Sequence, residues 1–139
     1  MASNLQTTVC NTQLASITTA IGATGFLWVY SGSPPAKSAH AYPAPTGTLG
    51  VKMACTNPFG GAPSNGVLTA STITTTAATG SITPGYYRIT TGSTDTDGST
   101  VILQGLAAVG SGDLNFSSTI ASGGNVSISS FTVTNASEA

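Results

Sequence analysis

One histidine, two cysteines, four carboxylates and three cations are the only strongly ionisable side chains this sequence carries apart from its tyrosines. Nucleophilic catalysis needs a base held beside a hydroxyl or thiol. Hydroxyls are abundant, but His40 sits between Ala39 and Ala41 with no local partner to orient it, and no Gly-x-Ser-x-Gly turn occurs. Asp95, Asp97 and Gly98 resemble the opening of a calcium loop, yet Leu106 stands at the position where such a loop needs its bidentate glutamate. The segment therefore reads as a turn. Glycoside hydrolysis requires paired carboxylates, and nothing in the spacing of Asp95 and Asp113 brings them together. Cys10 and Cys55 lie 45 positions apart without metal-type spacing. They read as two free thiols in a reducing compartment, with a disulfide as the alternative. These residues give no acid, base, nucleophile or metal set, so no enzymatic activity and no cofactor are expected.

The aromatic residues are the other candidates for chemistry. Trp28, Tyr30, Tyr42, Tyr86 and Tyr87 have the right type for a sugar platform or for protein anchors. Trp28 and Tyr86 or Tyr87 fall in β-rich runs and read as core. Tyr42 lies in SGSPPAKSAHAYPAPTG, residues 31–47, a stretch with four prolines and the only histidine. Proline fixes φ and removes a donor, so this stretch reads as an extended arm or long loop. Phe59 sits between the turn residues of NPFGGAPSNG, residues 57–66. The protein-contact candidates are accordingly Pro34, Pro35, His40, Tyr42, Pro43 and Phe59.

The elements that must position these groups follow from pattern. Cys10, Leu14, Ile17 and Ile21 recur at helical spacing, which predicts one amphipathic helix over 4–21, with Ser3 or Asn4 as its start signal and Gly22 as its stop. FLWVY, residues 26–30, is a continuous apolar and aromatic run, as expected of a strand covered on both faces. Residues 48–56 alternate, with Leu49, Val51, Met53 and Cys55 on one face. VLTASTITTT (67–76), GYYRITT (85–91) and STVILQG (99–105) read as strands, and Asp97-Gly98 as a hairpin signal. In residues 125–134 the apolar phase slips at Ser129-Ser130, which predicts a β-bulge. About seven or eight short strands with glycine-rich turns favour an all-β fold, an antiparallel jelly roll or β-sandwich with a short N-terminal helix. All 139 residues form one domain on this reading.

Composition narrows the function. Charged residues make up 5% of the chain, against about 25% in ordinary soluble domains. Three cations cannot neutralise a run of phosphates, so no nucleic acid is expected as a partner. The apolar stretch from Ile21 to Tyr30 is short of the ~20 residues of a membrane span, so no membrane is expected either. The start MASNLQTTVCNTQLAS has neither the basic region nor the apolar run of a secretory signal. The Asn-x-Ser sequons at Asn115, Asn125 and Asn135 then read as products of a serine-rich composition. Serine and threonine, about 30% of the chain, must cover most of the surface. Such a surface associates with little desolvation of charge.

The order of features resembles a group of small tailed-phage virion proteins. The resemblance is carried by GATGFLWVYSGSPP after a short helix, then LGVKMACTNPFGGAPSNGVLTA, then TPGYYRI, then an Asp-Gly turn into VILQG, then GSGDLN before a final Ser/Thr-alternating segment, covering about residues 14–134. Within the group, size and composition are most similar to the capsid cement, or decoration, proteins. That resemblance implies a jelly-roll or β-sandwich fold, synthesis in the host cytoplasm and a place on the outer capsid surface of the virion. It implies the major capsid protein as partner, neighbouring subunits of which it staples, and self-association as a dimer or trimer. The arm is richer in proline than the group's pattern. A tail- or fibre-associated adhesin that binds a host glycan or receptor is the alternative. The arm is expected to be poorly ordered until it meets a partner.

Overall fold

A computed structural model describes residues 5–38 and 41–135. The chain opens with helix α1, Thr7–Ile21. It buries Cys10, Leu14 and Ile21 and rests Ile17 against the same core, the stripe expected from spacing. The proposed start signals Ser3 and Asn4 lie outside the described residues, and Gln6 precedes the first turn without a side-chain cap. Gly22 ends the helix at φ 68°, donating its N–H to the Thr18 carbonyl.

Strands β1 (Phe26–Tyr30), β2 (Leu49–Ala54), β3 (Val67–Thr69), β4 (Thr76–Ala77), β5 (Tyr86–Thr90), β6 (Val101–Val109), β7 (Leu114–Phe116), β8 (Asn125–Val126) and β9 (Thr132–Thr134) follow. Five of them form one sheet in the order β2-β1-β5-β6-β7, while β3 pairs with β9 and β4 with β8. The protein is thus mostly β with one N-terminal helix. The sheet is mixed rather than antiparallel throughout: β7 runs parallel to β6, Ala107 opposite Leu114 and Val109 opposite Phe116. Gly110 at φ 77° and Gly112 at φ 93° turn the chain back on itself in the short segment between them, a reversal that side chains with a Cβ resist.

Three further expectations are corrected. Leu49 does not share a face with Val51 and Met53. Val29 pairs with Val51 but Tyr30 with Leu49, so Gly50 is an extra residue and Leu49 turns to the opposite face. Residues 67–76 are not one strand; they divide into β3, a bridge from Ile73 to Cys55, and the start of β4. The slip at Ser129-Ser130 is not a bulge. There the chain leaves β4, the partner of β8, for β3, the partner of β9.

The main core lies on one face of the sheet. Leu27 and Val29 of β1, Val51 and Met53 of β2, and Tyr87 and Ile89 of β5 meet Leu14, Ile21, Leu68, Phe131 and Val126 from the covering elements. Phe59 belongs to this core at 1% exposure, edge-on to Phe131 with centroids 6.1 Å apart. Phe59, a protein-contact candidate on sequence grounds, is thus placed in the core rather than at the surface. Ser71 N–H donates to the Phe59 carbonyl at 2.7 Å and Gly60 bridges to Ala70, so the turn is sewn down with its ring inward. Gly60 suits this place because an added Cβ would press on Leu68 and the Thr69 carbonyl. Cys10 and Cys55 are both free thiols.

Candidate functional site

The other face of the sheet is built from alternate residues of the same strands. Period-two alternation places Phe26, Trp28 and Tyr30 of β1 and Tyr86, Arg88 and Thr90 of β5 there. Trp28, Tyr30 and Tyr86 form a second buried cluster, with Phe26 and Leu49 against it. The Tyr30 and Tyr86 rings stack at 5.1 Å and 16°.

A charged residue crosses this aromatic layer. Arg88 is 0% exposed. Its Nη1 donates to Asp95 Oδ1 at 3.0 Å, its Nε to Gln104 Oε1 at 2.9 Å and its Nη2 to the Pro43 carbonyl at 2.9 Å. Tyr30 Oη donates to the second Asp95 oxygen at 3.0 Å. Burial of two charges is tolerable when every donor and acceptor finds a partner, and here the partners come from four places. They are β1, β6, the loop 91–100 and the proline segment.

Around this hub the remaining polar groups are also joined. Trp28 Nε1 donates to Thr90 Oγ1 at 2.8 Å, and that hydroxyl donates to the Gly92 carbonyl at 2.7 Å. Burial raises the Tyr30 phenol well above its ordinary range, and the neighbouring Asp95 charge and hydrogen bond add to the rise. Tyr86 is raised chiefly by burial, against its hydrogen bonds with Thr46. Lys52 lies over the Phe26 and Trp28 rings, 4.5 and 4.8 Å from their centroids, and donates to the Ser93 carbonyl at 2.7 Å. Each guanidinium nitrogen and each carboxylate oxygen of the Arg88–Asp95 pair is thus engaged with a partner. What the arrangement does chemically is grip backbone carbonyls.

The carbonyls it grips belong to the arm. Gln104 Nε2 donates to the Pro35 carbonyl at 3.0 Å. Thr46 N–H donates to Tyr86 Oη at 3.0 Å, and that hydroxyl donates back to the Thr46 carbonyl. Gly98, at φ 80°, lies so close beneath Tyr42 and Pro43 that an added Cβ would overlap their carbonyls. The free arm expected from the prolines is thus replaced by one laid over the aromatic face. Its prolines leave carbonyls without ladder partners, and the face supplies the donors. Pro34, Pro35, Tyr42 and Pro43 are all half-buried. Ser38 and Ala41 exchange both backbone hydrogen bonds, at 3.2 and 2.8 Å. His40 lies outside the described residues.

At its outer end Lys37 Nζ stands 4.9 Å from the Tyr42 ring centroid. Together with Ala41, Gly98, Ser99, Val101 and Ile102 they line an open cleft of about 300 Å³. The structure thus brings Pro35, Tyr42 and Pro43 together and sends Phe59 to the opposite face. Arg88, Asp95 and Gln104 were not among the sequence candidates. The available signal was an arginine inside GYYRITT, a strand otherwise apolar or hydroxylic, in a chain with only three cations. Among the described residues no three His, Cys, Asp or Glu side chains cluster as metal ligands, and no helix is long and apolar enough to cross a membrane. No protein-family model, no curated protein and no solved structure matches the chain.

Proposed function

We propose that this chain is a viral structural protein, a cement protein that sits on the outside of a tailed-phage capsid and ties neighbouring major capsid protein subunits together. In this reading it acts as a dimer or trimer and not as an enzyme. The two sides of its core, the five-stranded sheet and the layer made by β3–β9, β4–β8 and α1, are the halves of a jelly-roll-like β-sandwich.

One observation carries the reading. The chain has three cations and four anions, and it buries one of each, Arg88 and Asp95, to hold a proline arm in place. What remains outside is mainly hydroxyl and apolar surface, with Lys37 and Tyr42 at the arm's outer end. That surface suits association through shape and apolar contact rather than ion pairs. Modest affinity per copy suffices when one oligomer touches several subunits, because the second contact is intramolecular.

The test is co-sedimentation of purified protein with capsids stripped of their decoration, across salt. Apolar burial is not screened as charge pairs are. Binding is therefore expected to persist to about 1 M salt, where the Debye length is about 3 Å. Release at moderate salt overturns the contact chemistry. Binding to host cells with none to capsids overturns the cement reading in favour of an adhesin.

A further inference from the structure

We propose that the proline arm is a strap that opens and closes over the aromatic face as one unit, with Arg88 as the residue that latches it. Three observations point there. First, none of the described residues of the arm, 31–38 and 41–47, belongs to the main core, so the strap can leave without opening that core. Second, among the described residues the side-chain attachments that tie the strap to the sheet converge on few groups: Arg88 on the Pro43 carbonyl, Gln104 on the Pro35 carbonyl and Tyr86 on Thr46. Third, Arg88 also holds Gln104 through its Nε and Asp95 through its Nη1, so one side chain sets two of the three attachments and fixes the adjoining loop. Segments tied by a few polar contacts open locally at lower free energy than strands in the core. Opening this one uncovers the stacked Tyr30 and Tyr86 rings beside Trp28.

The scarcity of charge supplies a clean assay. Trypsin has only three sites, after Lys37 in the strap, Lys52 in β2 and Arg88 in β5. Cleavage of a native protein at low protease follows the population of the locally open form. Arg88→Lys keeps a cation opposite Asp95 and keeps the trypsin site, but an ammonium lacks the planar fork that reaches three partners. Gln104→Ala removes the Pro35 attachment alone.

Cleavage after Lys37 is expected to rise about tenfold in Arg88→Lys and about threefold in Gln104→Ala, with cleavage after Lys52 unchanged. Equal acceleration at Lys37 and Lys52 overturns the strap as a separate unit, and so does no acceleration at Lys37 in either variant. Cleavage of the parent after Lys37 as fast as in the denatured chain overturns the latch. Should Arg88→Lys not fold, Gln104→Ala decides by the same two rates.

Discussion

The two faces of the five-stranded sheet are covered by opposite means. On one face, residues from α1, the Phe59 turn, β3, β8 and β9 fill space with carbon, and Phe131 sits edge-on to both Phe59 and Tyr87. On the other, an irregular segment rich in proline lies over stacked tyrosines and is held by a buried ion pair. The first kind of cover is non-directional and tolerates small shifts. The second depends on particular atoms, because a buried donor left without its acceptor costs its full desolvation. The difference teaches how a segment that cannot join a sheet is still fixed. Carbonyls freed by proline become the acceptors of an arginine that the strand places beneath them.

The largest effect that tests this contrast is removal of one charge. Arg88→Ala leaves Asp95 buried with only Tyr30 and is expected to cost about 3–5 kcal/mol. Phe131→Ala on the other face is expected to cost a similar roughly 3–5 kcal/mol, by cavity formation. The two losses differ in how they are repaired. Replacing both partners, as in Arg88→Met with Asp95→Leu, is expected to recover at least half of the Arg88→Ala loss in urea unfolding, since no unpaired charge remains. The strap would still be loose in that double variant. Failure of the double variant to recover stability would show that the carbonyl attachments, not the charges, dominate this face.

The contrast also explains which parts of the molecule were legible beforehand. FLWVY was readable as a strand covered on both faces because its apolar run leaves no side for water. The helix was readable from Cys10, Leu14, Ile17 and Ile21, whose spacing needs no tertiary knowledge. The Phe59 turn was misjudged because its inward direction is set by backbone bonds to residues 69–71, which local pattern does not contain. Leu49 was misjudged because one extra residue at Gly50 reverses its face. The parallel placement of β7 depends on a two-glycine reversal that has no hydrophobic signature. The arm was legible as proline-rich, but its closure was not. That closure joins Pro43 to an arginine 45 positions later and to an aspartate beyond it, and it exists only once the sheet has formed.

A smaller effect separates the faces by pH. Tyr30 and Tyr86 on the strapped face and Tyr87 on the carbon face all have raised phenol values, with burial the largest cause in each; Tyr87 is pushed from 10.0 up to about 12. Burial likewise moves the Cys55 thiol from 9.0 to about 11, against a backbone hydrogen bond from Leu27. A folded value above the unfolded one means the folded state holds its proton longer. The stabilisation is complete below the unfolded values and is lost as pH rises toward the folded ones. The urea midpoint is therefore expected to be level to about pH 9 and to fall between about pH 9 and 12. Tyr87→Phe should flatten part of that fall without altering trypsin cleavage after Lys37. Tyr30→Phe should flatten part of it and also speed that cleavage. A midpoint that stays level to pH 12 would contradict the burial of these groups.

The smallest expected effect has the opposite sign and comes from one hydroxyl. On the strapped face Trp28, Tyr30, Tyr86, Arg88 and Thr90 all have partners. On α1, against the carbon face, Thr18 Oγ1 is buried without one among the described residues. A buried unsatisfied polar group costs about 1–3 kcal/mol, and replacing it by an apolar group of the same shape removes that penalty. Valine matches threonine in outline and nearly in helix propensity. Thr18→Val should therefore stabilise the protein, by about 0.5–1 kcal/mol because this residue is only half-buried. The same exchange at Thr90, whose hydroxyl accepts from Trp28 and donates to the Gly92 carbonyl, should destabilise it. Urea unfolding of the two variants reads this directly. If both shifts had the same sign, the two faces would not differ in their need for polar partners, and the contrast drawn from Arg88 would rest on its charge alone.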